Sequence, residues 1–317
     1  MVTTPPESGA SPASIEIIVP AHNEARRLPA GLAALCWEAA SLPWRASILV
    51  VDSASSDATS DLVRDWPAGP VPVRLLRCAR PGKGLAVRTG LLATQAPFVG
   101  FCDADMATDL SALDTAVSLL AAGKPLVIGS RGLAASVVTV RHSAIRRGGA
   151  AVFRALARQI VADSTDTQCG FKFFSGPLAR AAATQLRTPG FAFDIELIAI
   201  CQRLGATLTE IPVRWRDMPG STFSVPRHSA AALRDVASIW LRQRAGRATD
   251  APGLPGATLV PPVALHPLSA VSHALPAVSH ALPAVSHPLP AVSHPLSAAA
   301  PALPATSQAV PAGATTA

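Results

Sequence analysis

The chain predicts an α/β fold: a mostly parallel sheet with helices on both faces. Three observations carry this. Four apolar runs recur in the N-terminal half, each short enough for one strand. Segments with helical spacing separate them, which is the alternation of a doubly wound sheet. Each run also ends in a cluster of polar residues, so one sheet edge collects the chemistry.

The elements follow in order. The first run, Ile15-Glu16-Ile17-Ile18-Val19, ends in Pro20-Ala21-His22-Asn23-Glu24. Leu28, Leu32, Leu35 and Cys36 then mark one face of a helix. The second run, Ser47 to Val51, ends in Asp52-Ser53-Ala54-Ser55-Ser56-Asp57, where Ser55 or Ser56 is the expected cap of the next helix. The third, Val71 to Leu76, leads through Arg80-Pro81-Gly82-Lys83-Gly84 into a helix over Leu85–Thr94. The fourth, Pro97 to Cys102, ends in Asp103-Ala104-Asp105.

That last pair is the most informative. In an extended stretch, residues two apart point the same way, so both carboxylates face one point beyond the strand. Ligands of open α/β sheets bind there. Two hard oxygen ligands suit Mg²⁺ or Mn²⁺, and such an ion suits a diphosphate. Glycines on either side of Lys83 let backbone approach a ligand while the lysine neutralises phosphate charge. The spacing is not that of a P-loop.

The motifs resemble the family-two glycosyltransferases of the GT-A fold, most of all the dolichyl-phosphate β-glucosyltransferase and dolichyl-phosphate mannose synthase branch. They are Pro20–Glu24, Val51-Asp52 to Thr59, Gly82-Lys83-Gly84, Asp103-Ala104-Asp105, Gly129-Ser130-Arg131, Asp166-Thr167-Gln168-Cys169-Gly170-Phe171-Lys172 and Phe193-Asp194-Ile195-Glu196. Together they span roughly residues 14–245, and the Asp166–Lys172 run is the most specific.

The resemblance implies a GT-A, Rossmann-like domain over residues 14–246. Its activity would be inverting transfer of a sugar, glucose before mannose, from UDP-glucose or GDP-mannose to a polyprenyl phosphate. It implies that Pro20, Ala21 and Glu24 border the nucleotide, that Asp52 reads the base and that Lys83 meets phosphate. Asp103 touches the ribose or the metal, and Asp105 is the metal ligand. A lipid phosphate is already ionised and needs cations more than a base. Arg131 is the first candidate, with Lys172, Arg214, Arg216 and Arg227 behind it. A hydroxyl acceptor would need a base, for which Asp194 is the choice. If the Phe191–Ile200 segment is helical, Asp194 and Glu196 diverge. A nucleotidyltransferase is the alternative from another class.

Three positions depart from the family. Asp52-Ser53-Ala54-Ser55 stands for Asp-Asp-Gly-Ser, His22 for a commoner Tyr, and Gly220-Ser221-Thr222 for Gly-Ser-Lys, with Arg227 placed to substitute for the lysine.

A net charge of +7 and a pI near 9.9 favour acidic partners. With five Trp, nine Phe and no RNA-binding motif, nucleic acid is not expected. Five cysteines, an odd number without regular spacing, argue for thiols in a reducing cytosol. Met1–Ser14 has no signal-peptide pattern, and no segment is apolar enough to span a bilayer. Basic amphipathic segments at Ser143–Val161 and Arg227–Arg247 are the expected sites of peripheral membrane contact, on the cytoplasmic face.

Residues 1–13 read as disordered, and so does the tail over 247–317. There Leu268, Leu275, Leu282, Leu289 and Leu296 recur every seven residues, in step with His273, His280, His287 and His294. Proline in nearly every unit forbids a coiled coil. Truncation after residue 250 is therefore expected to leave melting temperature and transfer rate nearly unchanged. A large fall in melting temperature would show that the repeat packs on the domain.

Overall fold

The structure, a computed structural model, describes residues 14–139, 155–217 and 225–249. Strand β1 (Ser14–Ala21) is followed by α1 (Leu28–Ala40), β2 (Arg45–Ser53), α2 (Thr59–Arg64), β3 (Val73–Cys78), α3 (Lys83–Ala93) and β4 (Phe98–Cys102). Next come α4 (Ala112–Ala121), β5 (Leu126–Ser130), β6 (Val137–Thr139) and β7 (Phe171–Ser175). Then follow α5 (Gly176–Gln185), α6 (Phe193–Arg203), β8 (Leu208–Pro212), β9 (Arg214–Arg216) and α7 (Val225–Thr249).

Seven strands form one sheet in the order β3-β2-β1-β4-β7-β5-β8, and β6 pairs with β9 in parallel. All pairings in the large sheet are parallel except those of β7, which is antiparallel to β4 and β5. The predicted mostly parallel sheet is therefore present. The strand inside the Phe171–Lys172 motif went unpredicted.

Alternation along each strand splits the core in two. Ile15, Ile17, Val19, Ile48 and Val50 pack with Leu28, Leu32 and Leu35 of α1 and with Leu113 and Val117 of α4. Ile18, Leu49, Val51, Val99 and Phe101 face Val87 and Leu91 of α3 and the helices α5, α6 and α7. Helices thus cover both faces. Each fully buried Leu, Ile or Phe contributes roughly 1.5–3 kcal/mol. Gly100 belongs to this alternation: a Cβ there would lie 2.0 Å from the Phe173 ring, so the glycine makes room for that phenylalanine.

Several boundaries shift. Strand β3 runs two residues later than expected, and α3 starts at Lys83 rather than Leu85. Helix α7 extends past residue 246. Among the described residues no helix is long and apolar enough to cross a membrane. Residues 1–13, most of Ser143–Val161, Gly220–Thr222 and the repeats beyond 249 lie outside the described residues.

Candidate active site

The carboxyl ends of β1, β2, β4 and β5 and the leading end of the reversed β7 meet at one edge. Pro20 and Ala21 are the last residues of β1, buried and paired in register with Val51 and Asp52. The β1–α1 and β2–α2 loops are bound to each other. Asn23, at φ +54°, receives the Ser56 N–H on its Oδ1 (2.9 Å), while its own N–H donates to Ser55 Oγ (2.9 Å). Glu24 N–H donates to Thr59 Oγ1 (2.9 Å). His22 Nδ1 lies 2.7 Å from the Ser53 carbonyl, which only accepts, so Nδ1 carries the ring proton.

Asp52 is fully buried. It accepts from Ser55 N–H (3.0 Å) and the Ser60 hydroxyl, with Arg77 Nε 3.6 Å away. Burial opposes its charge, and these hydrogen bonds and Arg77 hold its carboxyl below the usual range. Neither Ser55 nor Ser56 caps α2. The first amide of that helix, Thr59 N–H, donates instead to Asp57 Oδ1 (3.0 Å).

Asp103 and Asp105 do not continue the extended strand. Strand β4 ends at Cys102 and the pair sits in a turn, closed by Met106 N–H on the Asp103 carbonyl (3.0 Å) with Met106 at φ +46°. The turn brings the two together all the same: burial first, then the charge of Asp103, raises the Asp105 pKa. Lys83 Nζ lies 2.6 Å from Asp103 Oδ1, and Arg27 Nη1 3.7 Å from Asp105 Oδ2. Arg27 also grips Glu24 through two hydrogen bonds of 2.7 and 2.5 Å. Burial disfavours the Lys83 ammonium, but Asp103 and Asp194 outweigh it and push its pKa up to about 12.

Among the described residues no group of three His, Cys, Asp or Glu side chains could hold a metal. Two carboxylates are what Mg²⁺ or Mn²⁺ needs from a protein when water and phosphate supply the other oxygens. A cation between Asp103 and Asp105 would also relieve the mutual repulsion that raises Asp105, so these residues fit the ion.

The glycines beside Lys83 make room for the protein's own backbone. Gly82, at φ +152°, precedes α3, and a Cβ there would lie 2.7 Å from the Pro189 carbonyl. A Cβ on Gly84 would lie 2.3 Å from the Thr188 carbonyl. The Pro189 carbonyl takes the Gly84 N–H (2.9 Å) and the Leu85 N–H (3.3 Å). These amides at the start of α3 are thus filled from within.

Arg131, just past β5, is bound to Asp166. Nε and Nη2 of its fork reach the two carboxylate oxygens at 2.6 and 2.9 Å, and its N–H adds a third bond (3.0 Å). Trp215 of β9 covers the guanidinium, 5.4 Å from ring centroid to Cζ. Burial alone would raise the Asp166 pKa, yet Arg131 holds it down to about 2. Glu210 of β8 organises the same loop by accepting the Thr165 N–H (2.8 Å) and hydroxyl (2.6 Å).

Lys172 cannot act as a free cation. It is fully buried on the β7 face opposite Phe173, and its Nζ donates to the Cys169 carbonyl and to Asp194 Oδ1, both at 2.5 Å. Asp194 and Glu196 do diverge. Asp194 turns in to Lys172, whereas Glu196 accepts from Thr188 N–H (2.7 Å) and Arg242 (2.9 Å). Burial raises the Asp194 pKa against the pull of Lys172 and Lys83. Arg214 and Arg216 are exposed, and the side chain of Arg227 lies outside the described residues.

Arg27 and Trp215 were not singled out from the sequence, and Asp166 was named only as the start of a motif, with no role given to it. Arg27, three residues after Glu24, was within reach of helical spacing; the other two pair with Arg131 only through the fold. Gly170 has a definite task. Its carbonyl takes the Asp103 N–H (3.1 Å), and a Cβ on it would lie 2.0 Å from Asp103 Oδ2. Gly170→Ala is therefore expected to displace the Asp103 carboxylate, costing about 1–3 kcal/mol in stability and most of the donor affinity. Calorimetric titration with a nucleoside diphosphate and Mn²⁺ checks this, and wild-type affinity would refute it.

Residues 16–182, more than half of the chain, match the model of the family described as "Glycosyl transferase family 2". The chain belongs to glycosyltransferase family 2. The nucleotidyltransferase alternative falls with that assignment. This glycosyltransferase is 33% identical over 260 residues to the dolichyl-phosphate beta-glucosyltransferase of Drosophila melanogaster, covering 77% of this chain and 80% of that one. The Dictyostelium discoideum protein of the same name is 29% identical, covering 73% and 75%. Among solved structures, the glucosyl-3-phosphoglycerate synthase of Mycobacterium tuberculosis matches with a TM-score of 0.55 and 21% identity, over 73% of this glycosyltransferase and 80% of that chain. Its complex with Mn²⁺, UDP-glucose and phosphoglyceric acid matches at 0.54 and 19%, over 72% and 79%. These structural likenesses show the shared GT-A fold.

Proposed function

We propose that this glycosyltransferase moves glucose from UDP-glucose to a polyprenyl phosphate, with inversion, giving a β-linked glucosyl phospholipid. The observation that carries the reading is that carboxylates at the site edge are matched by cations. Glu24 lies beside Arg27, Asp103 beside Lys83, Asp166 beside Arg131 and Asp194 beside Lys172. An acceptor hydroxyl needs a base that reaches its proton. Asp194, 3% exposed at its side chain and bound to Lys172, offers poor access. An ionised phosphate needs no such group. The names of the Drosophila and Dictyostelium relatives support the same acceptor class and the choice of glucose.

In the proposed reaction a phosphate oxygen of the acceptor attacks the anomeric carbon. The bond from that carbon to the UDP oxygen breaks, and its electron pair leaves with UDP. Asp103 and Asp105 would hold Mg²⁺ or Mn²⁺, which supplies Lewis-acid stabilisation of the leaving diphosphate. Lys83 adds a fixed positive charge beside the same oxygens. Pro20, Ala21 and Glu24 border the nucleotide. The free side of the Arg131 guanidinium faces the acceptor phosphate, with the Asp166 bonds fixing its plane. The lipid is met from the cytoplasmic surface of the membrane.

Incubation with radiolabelled UDP-glucose or GDP-mannose, and with either polyprenyl phosphate or sugar hydroxyl acceptors, tests this. The expected result is glucosyl transfer to the lipid phosphate, lost with EDTA and restored by Mg²⁺ or Mn²⁺. Transfer to hydroxyl acceptors alone would overturn the acceptor, and mannose in place of glucose would overturn the donor.

A further inference from the structure

A cavity of about 440 Å³ lies between α5, α6 and α7 and shares no residue with the Asp103–Asp105 site. Three arginines are among its lining residues, Arg187 after α5, Arg203 at the end of α6 and Arg242 of α7, against a single acidic residue, Glu196. That carboxylate is already engaged. Its Oε2 accepts the Arg187 N–H (3.2 Å) and the Thr188 N–H (2.7 Å), and its Oε1 accepts from Arg242 (2.9 Å). Arg203 has only a 3.4 Å bond to Gln185, and the Arg187 guanidinium has no ion partner among the described residues. Two exposed arginines at the cavity therefore form no ion pair among the described residues. Ile200 and Ile239, 2% and 1% exposed, form its apolar side.

We infer that this cavity is a second ligand site, for a small anion bearing a phosphate monoester or diphosphate group. Its volume is that of a small-molecule site. Arginine forks match phosphate oxygens better than any other side chain, and three separate segments each bring an arginine to this lining. Gln185 and Gln243 add neutral donors.

The site adjoins the catalytic edge through a short segment. Thr188, held by Glu196 and by Arg242 (3.3 Å), is followed by Pro189, whose carbonyl receives the Gly84 and Leu85 amides beside Lys83. An occupant bridging Arg187 and Arg242 thus grips the segment on which the start of α3 rests. The phosphate has two conceivable sources, a soluble metabolite or a lipid headgroup, since Leu241, 59% exposed, lies next to Arg242.

Inorganic pyrophosphate is the probe, titrated calorimetrically in EDTA against the wild type, Lys83→Ala and Arg187→Ala/Arg203→Ala. Both arginines are exposed, so the double variant is expected to fold, and circular dichroism verifies it. Binding should persist in Lys83→Ala and weaken by at least about tenfold in the double variant, since each charge-assisted bond is worth roughly that much. Equal binding by the double variant and loss in Lys83→Ala would confine the anion to the strand edge and overturn the proposal. No binding to the wild type would overturn it too. Cosedimentation with phosphatidylcholine vesicles containing phosphatidic acid separates the sources. Sedimentation that depends on Arg187 and Arg203 supports the site with a headgroup as its ligand. Pyrophosphate binding without sedimentation supports it with a soluble one.

Discussion

Asp105→Ala is expected to abolish transfer, by at least about 10²–10³-fold, while the protein stays folded. The first half follows from the proposed role of Asp105 as an ion ligand, in the turn after β4 that sets it beside Asp103. The second half follows from the electrostatics around Asp105. Burial, and then Asp103, raise the Asp105 pKa above its ordinary 3.8. A raised pKa means that the folded state resists the ionised form. Its stabilising contribution is full below 3.8 and is lost as pH rises through the folded value. At neutral pH the charged side chain is a burden on the fold, and removing it should not lower the melting temperature. Electron paramagnetic resonance of Mn²⁺ with UDP gives a readout independent of turnover. Wild-type transfer by Asp105→Ala would remove the metal reading.

Arg131→Ala should have the largest effect on stability, about 3–5 kcal/mol, because it strands a buried carboxylate. Asp166 is 8% exposed at its side chain and Arg131 28%, so solvent screens the pair little. The pKa of about 2 for Asp166, against an ordinary 3.8, accounts for roughly 2 kcal/mol of this. The sign is that of a depressed carboxylate. The contribution is full above pH 3.8 and disappears as pH falls through about 2, so variant and wild type should converge in stability under strong acid. Arg131→Lys keeps the charge but not the fork and should recover only part of the loss. Denaturant melts across pH test this. Transfer by the variant must be assayed well below its melting temperature, where a raised KM for polyprenyl phosphate would separate acceptor binding from folding.

The sequence was most legible where one residue type suffices for an inference. Strands β1, β2 and β4 are dense apolar runs and were located within a residue or two. Strand β3, interrupted by Arg74 and Arg77, was misplaced by two. Strand β7 escaped because Lys172, its second residue, breaks the apolar pattern. The charge partner that lets a lysine be buried there is Asp194, 22 residues away. The carboxylates, Lys83 and Arg131 were found as residue types, but their partners were not. Asp166 is 35 residues from Arg131, and Pro189 more than a hundred from Gly82. Such pairings depend on how strands are ordered in space, which local spacing does not encode. Gly82 and Gly84 show the same limit. The need for close approach was legible, but what approaches was not.

The reversed strand has a consequence for how the sheet assembles. β3, β2, β1 and β4 form one parallel group and β5 and β8 another, and β7 alone joins them. In the first group β1, β2 and β3 pair in chain order, and β4 then crosses back to pair with β1, Ile15 opposite Phe98. The second cannot attach until the chain has travelled from residue 130 to residue 171 and laid β7 between the two. That closure carries an entropy cost with little local contact to offset it beforehand. The same strand brings Lys172 to Asp194 and sets Gly170 against Asp103, so the step that makes the sheet one cooperative unit also completes the catalytic edge. A chain halted before it would hold the β1–β4 half of the edge without the partners that β7 and the residues after it supply.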